Sequence, residues 1–114
     1  MGGGTHLDID GIQWLVRQGK YEFSIHAQQE RLEEDLDVTG IEAALVQGEI
    51  LEAYPDDPWG ESCLVLGYAG AKPIHAVLGW ARIRGEDEDI LRIITVYIPQ
   101  SPKWHDPRTR GRRP

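Results

Sequence analysis

His75, Thr95 and Tyr97 are the residues with the most chemistry to offer on what reads as an apolar sheet. They stand in two runs with strand character, PIHAVLGWARI at 73–83 and ILRIITVYIP at 90–99. Side chains alternate along a strand, so His75, Val77, Gly79 and Ala81 share one face of the first run. Leu91, Ile93, Thr95 and Tyr97 share one face of the second. Pairing Ile83 with Leu91 across the acidic GEDED connection sets Val77 opposite Tyr97 and Gly79 opposite Thr95, with His75 diagonal to Tyr97. Gly79 then leaves space above the sheet, and a glycine inside a strand can mark the close approach of a ligand. An imidazole, a hydroxyl and a phenol around such a space could move a proton and hold a phosphate. They could equally satisfy one another inside a core, because buried polar groups normally find partners. A slip of one residue would separate them.

His26 is a second candidate. It stands where the extended YEFSI enters a helix, a position that suits a neutral acceptor or base, or a packing role. Arg31, just over a turn later, could face the same groove or pair with Glu34 or Asp35. No metal or cofactor is expected, because His26, Cys63, His75 and His105 lie far apart without ligand spacing. Cys63 sits in the apolar SCLVLGY, where an inert buried thiol is the common case. Asp56, Asp57 and Glu61 in YPDDPWGE could bind a divalent cation, but read more simply as an acidic turn. YAGAKP lacks the spacing and the hydroxyl of a phosphate-binding loop.

The elements that must position these groups follow from periodicity. Ile9, Ile12, Leu15 and Val16 have helical spacing, and Gly19 is a natural stop. Ser24 is a candidate N-cap for a second helix, on which Glu30, Glu33, Glu34 and Asp35 read as a solvated face. A third helix starts near Thr39, buries Ile41, Ala44 and Leu45, and ends at Gly48. EILEAY, SCLVLGY, PIHAVLGWARI and ILRIITVYIP then read as four strands. The expected fold is α+β, with two or three N-terminal helices packed on a four-stranded antiparallel sheet. A helix layer covers one sheet face, and the other is concave and semi-covered.

The chain has 114 residues, 40% hydrophobic and 27% charged, which fits one folded domain rather than a disordered chain. Residues 1–7 are expected to be flexible, 8–104 to form the domain, and 105–114 to form a basic tail. A single cysteine excludes an internal disulfide and suits a reducing cytoplasm. No run is long enough for a membrane span, and no membrane partner is expected. The net charge is −7. The last ten residues carry four arginines against Asp106, or +3, so the other 104 carry −10. An acidic body argues against broad nucleic-acid binding, which rests on phosphate attraction. The tail could still hold phosphate locally, bind an acidic partner, or stay loose.

Several motifs occur in order: F-S-x-H-A at 23–27, G-E-I-x-x-x-Y-P-D-D at 48–57, S-C-L-V-L-G at 62–67, P-I-H-A-V at 73–77, I-I-T-V-Y-x-P at 93–99 and W-x-x-x-R-x-R at 104–110. In this order and spacing the chain closely resembles the DUF4258 family of small bacterial proteins, over roughly residues 12–112. The resemblance implies a RelE/barnase-like fold group, which includes RNA-cleaving toxins, and a neighbouring small zinc-finger protein resembling an antitoxin. Carried over by motif, His26, His75, Thr95 and Tyr97 are the implied catalytic positions. Arg31, Trp104, Arg108 and Arg110 are the implied substrate-binding positions. The chain departs from the family in placing Arg31 one residue later than the usual H-A-x-x-R-M. The resemblance suggests a metal-independent, toxin-like endoribonuclease. The alternative is a non-catalytic protein-interaction or RNA-binding module on the same fold.

Overall fold

The computed structural model describes residues 6–81 and 89–111. Helix α1 spans Ile9–Arg17, strand β1 Tyr21–Phe23, α2 Ile25–Glu33 and α3 Val38–Val46. Strands β2 (Glu49–Tyr54), β3 (Ser62–Ala69), β4 (Lys72–Ala81) and β5 (Ile90–Tyr97) follow, then β6 (Trp104–Asp106) and β7 (Thr109–Arg110). Each helix opens on a side-chain cap. Asp8, Ser24 and Asp37 accept the backbone N–H of Gly11, Ala27 and Gly40. Gly19 takes the left-handed conformation (φ 72°) that ends α1.

The fold is α+β with three helices, but the sheet is mixed and larger than four antiparallel strands. Five strands lie in the order β1-β5-β4-β3-β2, and β6 and β7 form a separate two-stranded sheet. The stretch expected only to begin extended, Tyr21–Phe23, is the added strand, and it pairs parallel to Leu91–Ile93. It is short because Ser24 turns the chain at once into α2. The Ser24 hydroxyl accepts from Ala27 and also donates to the Ile94 carbonyl, so one side chain caps the helix and ties it to the sheet edge.

The core lies between the helices and one sheet face. Ile12, Leu15 and Val16 from α1 and Ile41, Ala44 and Leu45 from α3 pack on Cys63, Val65, Ile74, Ala76, Leu78, Leu91, Ile93 and Val96. Gly67 makes room for α3: a Cβ there would lie 1.9 Å from the Ala44 carbonyl oxygen. Of the N-terminal residues 1–7, Leu7 is buried and donates its N–H to Glu61, while 1–5 lie outside the described residues.

The register between β4 and β5 differs from simple alternation. His75 lies directly opposite Tyr97, and Val77 opposite Thr95. A bulge then shifts the pairing, so that Leu78 faces Ile93 and Gly79 faces Arg92. The extra residue is Ile94. The bulge turns Leu91 and Ile93 into the helix-covered core while Thr95 and Tyr97 stay across from Val77 and His75. Gly79 therefore does not oppose Thr95. Ile83 and most of the GEDED connection lie outside the described residues.

Candidate functional site

Two polar clusters form on either side of β5. The first is built on His75, which is fully buried. Its Nε2 lies 2.7 Å from the Pro107 carbonyl, which can only accept, so Nε2 carries the proton. Nδ1 is then an acceptor for the Tyr97 hydroxyl at 3.1 Å, and that same oxygen receives the Trp104 indole N–H at 3.2 Å. The run Trp104, Tyr97, His75, Pro107 is a closed chain of donors and acceptors. The ring of Trp104 meets His75 edge to face, with centroids 4.4 Å apart, and is itself buried. Burial pushes the imidazole pKa below its ordinary value, against the opposing pull of the Pro107 bond, and pushes the Tyr97 phenol up. His75 is thus held neutral, with both ring nitrogens occupied.

The C-terminal hairpin makes this cluster possible. Trp104 inserts under it, and the Arg110 guanidinium covers the outer face of the indole, 4.5 Å from the centroid. Arg110 also pairs through two nitrogens with Glu52, at 3.1 and 2.7 Å, and Arg108 pairs with Glu49. The guanidinium of Arg110 holds the Glu52 carboxyl below the usual range. The described part of the basic tail is therefore an ordered hairpin whose arginines meet the glutamates of β2. Arg112 and Arg113 lie outside the described residues.

The second cluster sits where β1 ends and α2 continues along the open edge of β5. Glu30, expected on a solvated helical face, turns inward. One carboxylate oxygen accepts from the Thr95 hydroxyl at 2.8 Å and from the Val96 backbone N–H at 3.0 Å. The carboxylate thus replaces a strand partner at the sheet edge. Its other oxygen lies 3.3 Å from His26 Nε2, and His26 is largely exposed. The result is an accessible imidazole beside an anchored carboxylate, with Thr95 behind it. A groove of about 310 Å³ runs from Glu30 past Tyr97 to Gln100, Lys103 and Trp104. Lys103 holds its ammonium 5.5 Å from the centre of the Tyr97 ring.

The structure thus brings His75 together with Tyr97 and Trp104, and His26 together with Thr95 through Glu30. It does not bring His26 and His75 into one constellation: the groove joins their clusters only through Glu30 and Tyr97. Arg31 faces away, bonding the Gln28 side chain and the Leu36 carbonyl and lying over the Phe23 ring. Glu30, Lys103 and Pro107 were not singled out from the sequence. Glu30 stands four residues after His26, and that spacing is the one local signal that could have found it. Among the described residues, no group of three or more His, Cys, Asp or Glu side chains could hold a metal ion. Among the same residues, no helix is long and apolar enough to cross a membrane.

The family model for DUF4258, a domain of unknown function, matches residues 23–98. The match starts at the β1–α2 junction and ends just after Tyr97, so it takes in His26, His75, Glu30 and Thr95 but not the hairpin. Neither a curated protein nor a solved structure matches the chain.

Proposed function

The chain belongs to the DUF4258 family, and from that premise and the groove beside α2 we propose a toxin-like, metal-independent endoribonuclease. The observation that carries this reading is the accessible His26 imidazole beside Glu30, whose carboxylate is fixed by Thr95 and the Val96 N–H. Such a pair suits cleavage by the neighbouring 2′-hydroxyl. With Glu30 facing Nε2, Nδ1 of His26 is the nitrogen that takes the 2′-OH proton. The hydroxyl oxygen attacks phosphorus, the bond to the 5′ oxygen breaks to leave a 2′,3′-cyclic phosphate, and the departing 5′ oxygen takes a proton from water. Lys103, in the groove that Glu30 lines, offers its ammonium to the phosphate charge that builds up. In this assignment His75, Tyr97 and Trp104 are positioning residues that hold the hairpin, and hence Lys103, against β5. A small zinc-finger antitoxin-like protein would be the partner that silences it, in a cytoplasmic setting.

The test is cleavage of a labelled single-stranded RNA by the full chain in EDTA. His26→Gln should lower the rate by about a hundredfold or more, the usual loss when a general base is removed. Thr95→Val should lower it less. Undiminished cleavage in His26→Gln would remove the assignment.

A second reading is a non-catalytic protein-interaction or RNA-binding module, and its protein-interaction form is favoured by one observation: Arg108 and Arg110 are paired with Glu49 and Glu52 rather than turned outward for phosphate. RNA retained without cleavage, and expression without growth arrest, would favour it.

A further inference from the structure

The β6–β7 hairpin covers only the His75 half of the sheet face opposite the helices. The other half is open. Val77, Gly79, Ser62 and Ile94 floor a hollow of about 320 Å³, walled by the 55–61 turn with Trp59. Trp59 is 98% exposed, and Ile94 is also exposed for a central strand. Two departures from regular sheet create the hollow. The bulge at Ile94 sets that side chain on this face, and Gly79 leaves it room: a Cβ at Gly79 would stand 2.9 Å from Ile94 Cδ1. An apolar floor in the middle of a sheet beside a fully exposed indole resembles the half of an interface that carries the anchors.

Charge selects the occupant. From residue 49 to 71 the chain holds Glu49, Glu52, Asp56, Asp57 and Glu61 and no lysine or arginine. Glu49 and Glu52 are neutralised by the hairpin's own arginines. Asp57 accepts the Trp59 backbone N–H and Glu61 that of Leu7, and among the described residues neither is taken up by a lysine or arginine. His6 lies 3.7 Å from Glu61. Arg92, across from Gly79, is committed to Glu22. The covered half shows what this face accepts, namely a segment that buries an indole and lays arginines on carboxylates. Phosphate is repelled here, and so is a second copy of a chain with net charge −7.

We propose that this hollow is the docking site for a basic segment of a partner protein, which inserts an apolar side chain between Trp59 and Ile94 and sets its cations against Asp57 and Glu61. The site is separate from the α2 groove and holds whether or not that groove cleaves RNA.

The full chain, isotope-labelled, is titrated with a short synthetic peptide of arginines around a central leucine. Parallel titrations use the same peptide with aspartates in place of the arginines, and a single-stranded RNA. The expected result is saturable binding of the basic peptide, with shifts centred on the Trp59 indole, Gly79 and Ile94. Trp59→Ala should weaken it by about tenfold, as loss of an interface anchor does. Trp59 is too exposed for this change to unfold the chain, and Trp14→Ala, on α1, serves as the control. Shifts elsewhere, equal binding of the acidic peptide or the RNA, or an affinity unmoved by Trp59→Ala would overturn the proposal.

Discussion

Tyr97→Phe removes a single oxygen that two buried groups share. The Trp104 indole N–H reaches it at 3.2 Å and His75 Nδ1 at 3.1 Å. Neither ring has another described partner at that atom, and both are buried. Leaving a buried donor or acceptor unsatisfied costs about 1–3 kcal/mol each. The phenol itself is only partly buried, so water reaching the vacated position returns part of that cost. A net loss of about 2 kcal/mol follows, which for a chain of this size lowers the melting temperature by about 8 °C. Urea unfolding followed by circular dichroism gives the free energy. The Trp104 indole proton, read by NMR, should exchange faster with solvent. The variant keeps the phenyl ring, so packing against His75 is retained and the loss reports the hydrogen bonds. A stability within about 0.5 kcal/mol of the parent, the range of an ordinary surface change, would refute the closed chain of donors and acceptors described for this cluster.

Acid should weaken the same cluster. Burial depresses the His75 pKa below its ordinary 6.5, so its contribution is intact above that value and is lost as pH falls below it towards the folded-state value. The unfolding midpoint of the parent should therefore fall more steeply than that of His75→Gln over this window, and parallel curves would contradict it. Gly67→Ala should destabilise by about 3 kcal/mol or more, because the new methyl collides with the α3 backbone rather than with a movable side chain; thermal unfolding measures it, and a neutral result would mean that α3 slides freely over β3. Burial pushes the Cys63 thiol up to about 12, so a thiol reagent at mildly alkaline pH should label it only at the rate of unfolding. Rapid labelling of the folded chain would count against that burial.

Local features were legible in the sequence because their causes are local. Ser24 was readable as a cap and Gly19 as a stop, since each depends on backbone conformation within a turn; Gly48 also marks the end of α3, but there β3 leaves no room for a Cβ. The four long strands were legible from apolar runs, and alternation correctly put His75 on one face with Tyr97. The bulge at Ile94 was not legible, because nothing in IITVY distinguishes a bulged isoleucine from a paired one. Its cause is the three-dimensional need to send Ile93 and Val96 into the same core. The parallel pairing of Tyr21–Phe23 was hidden for a similar reason: three residues are too few for a periodic signal, and the partner lies seventy positions away in the register.

The candidate site divides the same way. Which groups are available is set by the sequence: His26 and His75 among four histidines, a threonine and a tyrosine on one strand, an acidic body and arginines near the end. The tertiary structure decided how they are used. A carboxylate on α2 reaches Thr95 and an edge N–H because the helix runs along β5, and that also places it beside His26. The hairpin folds back over the sheet, so Arg108 and Arg110 meet the glutamates of β2 and Trp104 closes over His75. Charge and hydrogen bonding act through space, and distance along the chain says little about which opposite charge or open donor a side chain will meet.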